Sequence, residues 1–95
     1  MAVKLQTIEQ ATRESTVRRL KTIEGQVRGL QGMVEEGRYC VEILMQISAV
    51  QEGLRKAGKQ IMRNYLENCA THAIRKGGGP EIYDELMEVI YKYVR

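Results

Sequence analysis

Residues 40–61 read CVEILMQISAVQEGLRKAGKQI. Within them Cys40, Ile43, Ile47, Val50, Leu54, Ala57 and Ile61 alternate in steps of three and four. That is the heptad-like seam of a helix packing lengthwise against another helix. No proline interrupts residues 39–76, so the spacing predicts one helix of about ten turns there. Gly53 and Gly58 weaken that helix without ending it.

Working outward, Val17, Leu20, Ile23, Val27, Leu30 and Val34 form a second, narrower apolar stripe. It predicts a helix over 8–36, with Thr7 and Gln10 spaced as a capping box and Gly37 as its stop. Gly25 and Gly29 share a face of this helix and predict close approach by a backbone or a phosphate. Downstream, Gly77-Gly78-Gly79-Pro80 is the one clear break. Beyond it Ile82, Leu86, Val89 and Tyr93 line one face of a third helix, over 81–94. Glu81, Asp84 and Glu85 favour its N-terminal turn. No run alternates as a strand would, and no segment repeats. The expected fold is all-α, a single domain over residues 1–95 with a three-helix protomer. The long helix overhangs its neighbours, so its seam is expected to pair with a second copy in an antiparallel helical-bundle dimer.

Composition narrows the functional classes. The chain has 95 residues, 43% hydrophobic and 28% charged, with no Trp, no Phe and two Cys. No stretch approaches the ~20 apolar residues of a membrane span, and MAVKLQTIEQ lacks a signal peptide's apolar core. Two cysteines are too few for a disulfide scaffold, so a cytoplasmic setting with reduced thiols is expected. The net charge of +3 is uneven. Residues 41–76 carry six bases and three acids, whereas residues 77–95 carry two bases and four acids. A basic body with an acidic end points to a polyanionic partner.

Cys40 and Cys69 are 29 residues apart, roughly 43 Å along a continuous helix. They cannot meet within one chain unless the helix breaks. If two copies cross antiparallel near Leu54 and Arg55, Cys40 of one faces Cys69 of the other. Such a thiol pair could bind Cu(I), or form a disulfide or polysulfide link. The plain alternative is that both are small core residues. Tyr65 and His72 lie at i−4 and i+3 from Cys69. His72, the only histidine, could offer a further ligand, though two Cys and one His do not complete a zinc site. No nucleophile–base pair or phosphate loop is present, so an enzyme is not expected. Arg18, Arg19, Lys21 and Arg28 decorate the first helix. Arg55 and Lys59, with Lys56 and Arg63, form a ridge on the second. Such ridges suit phosphate contacts, and the alternative is a solvated face.

The segment Arg19-Leu20-Lys21-Thr22-Ile23-Glu24-Gly25-Gln26-Val27-Arg28-Gly29-Leu30 resembles the signature of the CsoR/RcnR family of bacterial transcriptional repressors. Residues 33–40, 46–50 and 66–69 are similar to its later blocks, so the resemblance spans about residues 16–95. It implies a three-helix protomer, an antiparallel dimer and a homotetramer that binds double-stranded operator DNA until an inducer releases it. By position, Arg18, Arg19, Lys21, Gln26, Arg28, Arg55 and Lys59 become the DNA-binding residues. Copper sensors of the family hold Cu(I) with Cys, His and Cys. Cys40 and Cys69 match the cysteines, but Tyr65 stands at the His position. Tyr39 and Glu85 match a Tyr and a Glu that are linked to that His. The nickel/cobalt branch needs more histidines than this chain has.

A pair of cysteines without the histidine resembles the persulfide-sensing CstR type. The leading expectation is therefore a repressor released when reactive sulfur modifies the Cys40–Cys69 dithiol between protomers, with no cofactor required. One alternative is a Cu(I) sensor using the same two thiols, with or without His72. Another is a thiol- or copper-binding protein with no DNA role.

Overall fold

The computed structural model describes residues 8–93, and all their regular structure is helical. Helix α1 spans Gln10–Glu36 and α2 spans Cys40–Asn64. A π-helical turn, Tyr65–Ala70, continues α2 into α3, Thr71–Arg75. Helix α4 spans Gly79–Tyr93. The expected long helix over 39–76 is thus helical from Cys40 to Arg75 but changes its hydrogen-bond register near its C-terminal end. Thr71 Oγ1 donates to the Leu66 carbonyl at 2.7 Å, five residues back, as the wider turn permits. The expected start near Ile8 moves to Gln10; Thr7 lies outside the described residues, as does the expected last helical residue, Val94.

Both helix stops are built alike. Gly37 has φ +73° and Gly77 φ +87°, the left-handed conformation that closes a helix at little cost only in glycine. Gly37 N–H donates to the Val34 carbonyl at 3.1 Å and Arg38 N–H to that of Met33 at 3.0 Å. Gly77 and Gly78 repeat the pattern on Ile74 and Ala73, both at 3.0 Å. These are Schellman closures, which satisfy carbonyls that the helix end leaves open. Pro80 then occupies the first turn of α4, where no N–H is needed.

The chain forms two compact units. One comprises residues 10–61; the other, among the described residues, comprises 8–9 and 62–93. In the first, Ile23, Val50 and Ala57 are buried. A Cβ at Gly53 would come within 3.2 Å of Ile23 Cγ1, so the glycine here admits the isoleucine. In the second, Cys69, Ala70 and Ile82 are buried, together with Asn64. The Asn64 carboxamide oxygen accepts from the Glu9 N–H and from Asn68 Nδ2, each at 3.0 Å. That satisfies a polar side chain that would otherwise be costly to bury.

These cores are thin. Along the α2 seam Ile47, Leu54 and Ile61 stay 38–48% exposed, and Val27 and Val34 on α1 are also open to solvent. Val27, Val34, Ile43 and Ile47 border an open groove of about 570 Å³ in the first unit. An apolar surface of this extent is what a helical-bundle assembly covers.

Candidate functional site

Cys40 is the first residue of α2 and is exposed. Tyr39 precedes it, and its carbonyl accepts the Ile43 N–H at 3.2 Å, so it caps the helix. Both belong to the unit of residues 10–61. Cys69 lies in the other unit, inside the π-helical turn, and is only 7% exposed.

Around Cys69 the structure assembles two of the expected residues, Tyr65 and Glu85. Tyr65, at the start of the π turn, donates its hydroxyl to Glu85 Oε2 of α4 at 2.5 Å. The Cys69 thiol pKa is raised, first by burial and then by the Glu85 carboxylate. The Tyr65 phenol is pushed above its ordinary range, by burial, by the Glu85 hydrogen bond and charge, and by Cys69. All these causes disfavour the charged form. Tyr65 is therefore a neutral hydrogen-bond donor occupied by Glu85, not an available anionic ligand.

His72 lies on α3, and its Nε2 is buried with no hydrogen-bond partner among the described residues. Among the described residues no three His, Cys, Asp or Glu side chains of one chain group as a metal site. Cys40 and Tyr39 thus belong to one unit, and Tyr65, Cys69 and Glu85 to the other.

The electrostatics give a test of this pocket. Glu85→Gln keeps an acceptor for Tyr65 but removes the charge that raises the Cys69 pKa. A lower pKa means more thiolate at a given pH, and the thiolate is the reactive form. In a Cys40→Ser background, iodoacetamide should alkylate Cys69 about two- to fivefold faster at pH ~8. The pH midpoint of the rate should move down. An unchanged midpoint would remove Glu85 from the thiol's environment.

The seven residues matched to DNA binding all lie in the unit of residues 10–61, whereas Arg63 of the ridge lies in the other. Arg18, Lys21, Gln26, Arg28, Arg55 and Lys59 are exposed, and Arg19 is half-buried. Arg55 pairs with Glu52 and Arg63 with Glu67, both on the surface. Such exposed pairs contribute only about 0–1 kcal/mol and exchange readily for a phosphate. Gly25 and Gly29 have open space where a Cβ would stand, so none of the described residues makes the expected close approach there.

Two features leave no mark in the sequence. The π turn has no glycine or proline to mark it. Gln60 bridges Arg19 and Ser15, partners 41 and 45 residues away, beyond any local pattern.

The chain is similar to several known proteins. The family profile described as metal-sensitive transcriptional repressor matches residues 12–92. The copper-sensing transcriptional repressor CsoR of Bacillus subtilis is 42% identical over 83 residues, 87% of this chain and 82% of that protein. The copper-sensing transcriptional repressor RicR of Mycobacterium tuberculosis is 41% identical over 66 residues, 70% of this chain and 69% of that one. Among solved structures, the copper-sensing repressor CsoR with Cu(I) from Geobacillus thermodenitrificans matches with a TM-score of 0.86 and 45% identity. That match covers 94% of this chain and 93% of its counterpart.

Proposed function

Because this chain belongs to the family of metal-sensitive transcriptional repressors, regulators rather than enzymes, we propose that it binds operator DNA and releases it when Cu(I) occupies its two thiols. The observation that carries the inducer is the relatives' chemistry combined with the donors present. Those relatives are copper-sensing repressors, and this chain keeps two cysteines, soft ligands suited to Cu(I). The leading sequence expectation, reactive sulfur, accordingly yields first place to copper.

The site proposed is Cys40 of one protomer with Cys69 of the partner subunit, in an antiparallel dimer that pairs into a tetramer. The apolar seam left open along α2 supports such an assembly. Tyr65 does not fit as a third ligand, since its neutral hydroxyl is engaged by Glu85. The donor set proposed is therefore two thiolates, with or without His72. The DNA surface proposed comprises Arg18, Arg19, Lys21, Gln26, Arg28, Arg55 and Lys59. No helix among the described residues is long and apolar enough to cross a membrane, and the proposed setting is the cytoplasm.

The Tyr65–Glu85 hydrogen bond favours a second reading. A copper sensor with histidine at that position has a third ligand that this chain lacks, whereas persulfide chemistry needs only the two thiols. A low-molecular-weight persulfide would transfer one sulfur to the first cysteine and leave as a thiol. The second thiolate would then attack the inner sulfur, forming a disulfide and expelling hydrosulfide. If both cysteines were persulfidated, their condensation would leave a trisulfide and release one hydrogen sulfide.

The test begins with reduced protein and a pool of random-sequence duplexes, from which the bound DNA is recovered and labelled. Fluorescence anisotropy then follows release. One equivalent of Cu(I) per protomer should release the DNA, and sodium tetrasulfide under anaerobic conditions should not. The reverse result transfers the function to reactive sulfur. A reduced protein that enriches no duplex contradicts both readings.

A further inference from the structure

Gln60 stands between two residues of α1. Its Oε1 accepts from Arg19 Nε at 3.1 Å, and its Nε2 donates to Ser15 Oγ at 2.9 Å. All three residues are half-buried and lie in the same compact unit. Guanidinium can only donate, so the amide must turn its oxygen toward Arg19 and its nitrogen toward Ser15. Both ends of the amide are satisfied in the one orientation. Neither Nη of Arg19 has a hydrogen-bond partner or an ion pair among the described residues.

The chemistry of this clip is selective. A carboxylate in place of the amide would hold Arg19 as firmly, or more so, but would neutralise it. A neutral amide fixes the guanidinium and leaves its full charge for an outside anion. Arg55 and Arg63 differ in this respect, since each already has a carboxylate partner. A flexible arginine loses rotamer freedom on binding a phosphate, and a restrained one has lost it beforehand.

We propose that Gln60, braced by Ser15, is a positioning residue for DNA binding that holds Arg19 by Nε and reserves its Nη groups for a backbone phosphate. This rests on the reading of the chain as a DNA-binding repressor. A purely structural clip between α1 and α2 would tie the helices together equally well, but it would act on DNA binding independently of Arg19.

The experiment is a double-mutant cycle on the full-length protein with Gln60→Met and Arg19→Ala. Affinity for a labelled duplex is measured across a salt series, with thermal melting recorded for each variant. Gln60→Met should weaken binding roughly three- to tenfold, the range expected for freeing one long side chain. The slope of log affinity against log salt should flatten toward that of Arg19→Ala, which loses about one phosphate contact per arginine engaged. In the Arg19→Ala background, Gln60→Met should cost nothing further.

An equal loss in both backgrounds would make the clip structural and overturn the proposal. So would Arg19→Ala binding like the parent, which would still leave the repressor reading standing. If the unsubstituted protein fails to bind duplex at low salt, the repressor reading falls first and the inference with it. Should Gln60→Met fail to fold, Ser15→Ala removes only the brace. It should give a smaller loss in the same direction, absent when Arg19 is alanine; full binding by Ser15→Ala would then overturn the proposal.

Discussion

Replacing Arg55 and Lys59 together with alanine should abolish duplex binding while leaving both thiols fully responsive. The two residues lie one turn apart on α2 and are exposed. In a two-fold dimer they supply four cations, so the slope of log affinity against log salt should fall by about 3.6. At ~0.1 M salt the corresponding loss should be on the order of a hundredfold or more. Stability should change little, because the Arg55–Glu52 pair is on the surface and such pairs contribute about 0–1 kcal/mol. Anisotropy titrations from 50 to 300 mM salt, with thiol counting on the same samples, check both halves. Retained binding with an unchanged slope would place the DNA surface elsewhere.

The second large effect concerns the thiols. Cys40→Ser and Cys69→Ser should each bind duplex like the unsubstituted protein and fail to release it on Cu(I) addition. A hydroxyl is a poor Cu(I) ligand, so either substitution destroys every site that needs both sulfurs. Cys40 is exposed, and its replacement should cost less than about 0.5 kcal/mol of stability. Cys69 is buried, and a hydroxyl there without a partner costs about 1–3 kcal/mol. Cys69→Ala avoids that penalty and should show the same loss of response. Release that survives in Cys40→Ser would leave Cys69 and its own unit as the sensor.

The helices were legible because apolar spacing and glycine placement are local properties. Gly37 and Gly77 end their helices where expected, since only the left-handed conformation closes those turns cheaply. The π turn at Tyr65–Ala70 was not legible, because YLENCA contains only residues that an ordinary helix also accepts. The grouping of Cys69, Tyr65 and Glu85 was reached through resemblance, not spacing alone. The structure adds the hydroxyl–carboxylate bond that takes Tyr65 out of the ligand set. The bridge from Gln60 to Arg19 and Ser15 could not have been read, because it joins residues of two helices with no signature in either. Copper ranks above reactive sulfur because of the relatives, while the two cysteines alone serve either inducer.

The central claim is that one functional site draws a sulfur from each of two protomers. Co-refolding Cys40→Ser with Cys69→Ser chains tests it most directly. Neither homodimer has a complete site, but each mixed dimer has one intact Cys40–Cys69 pair across the interface. In an equal statistical mixture about half the dimers are mixed, so tight Cu(I) binding should return to about a quarter of the unsubstituted level. Measured by competition with a chromophoric Cu(I) chelator, that recovery is the predicted result. A mixture that binds no more Cu(I) than its separate components would contradict the account.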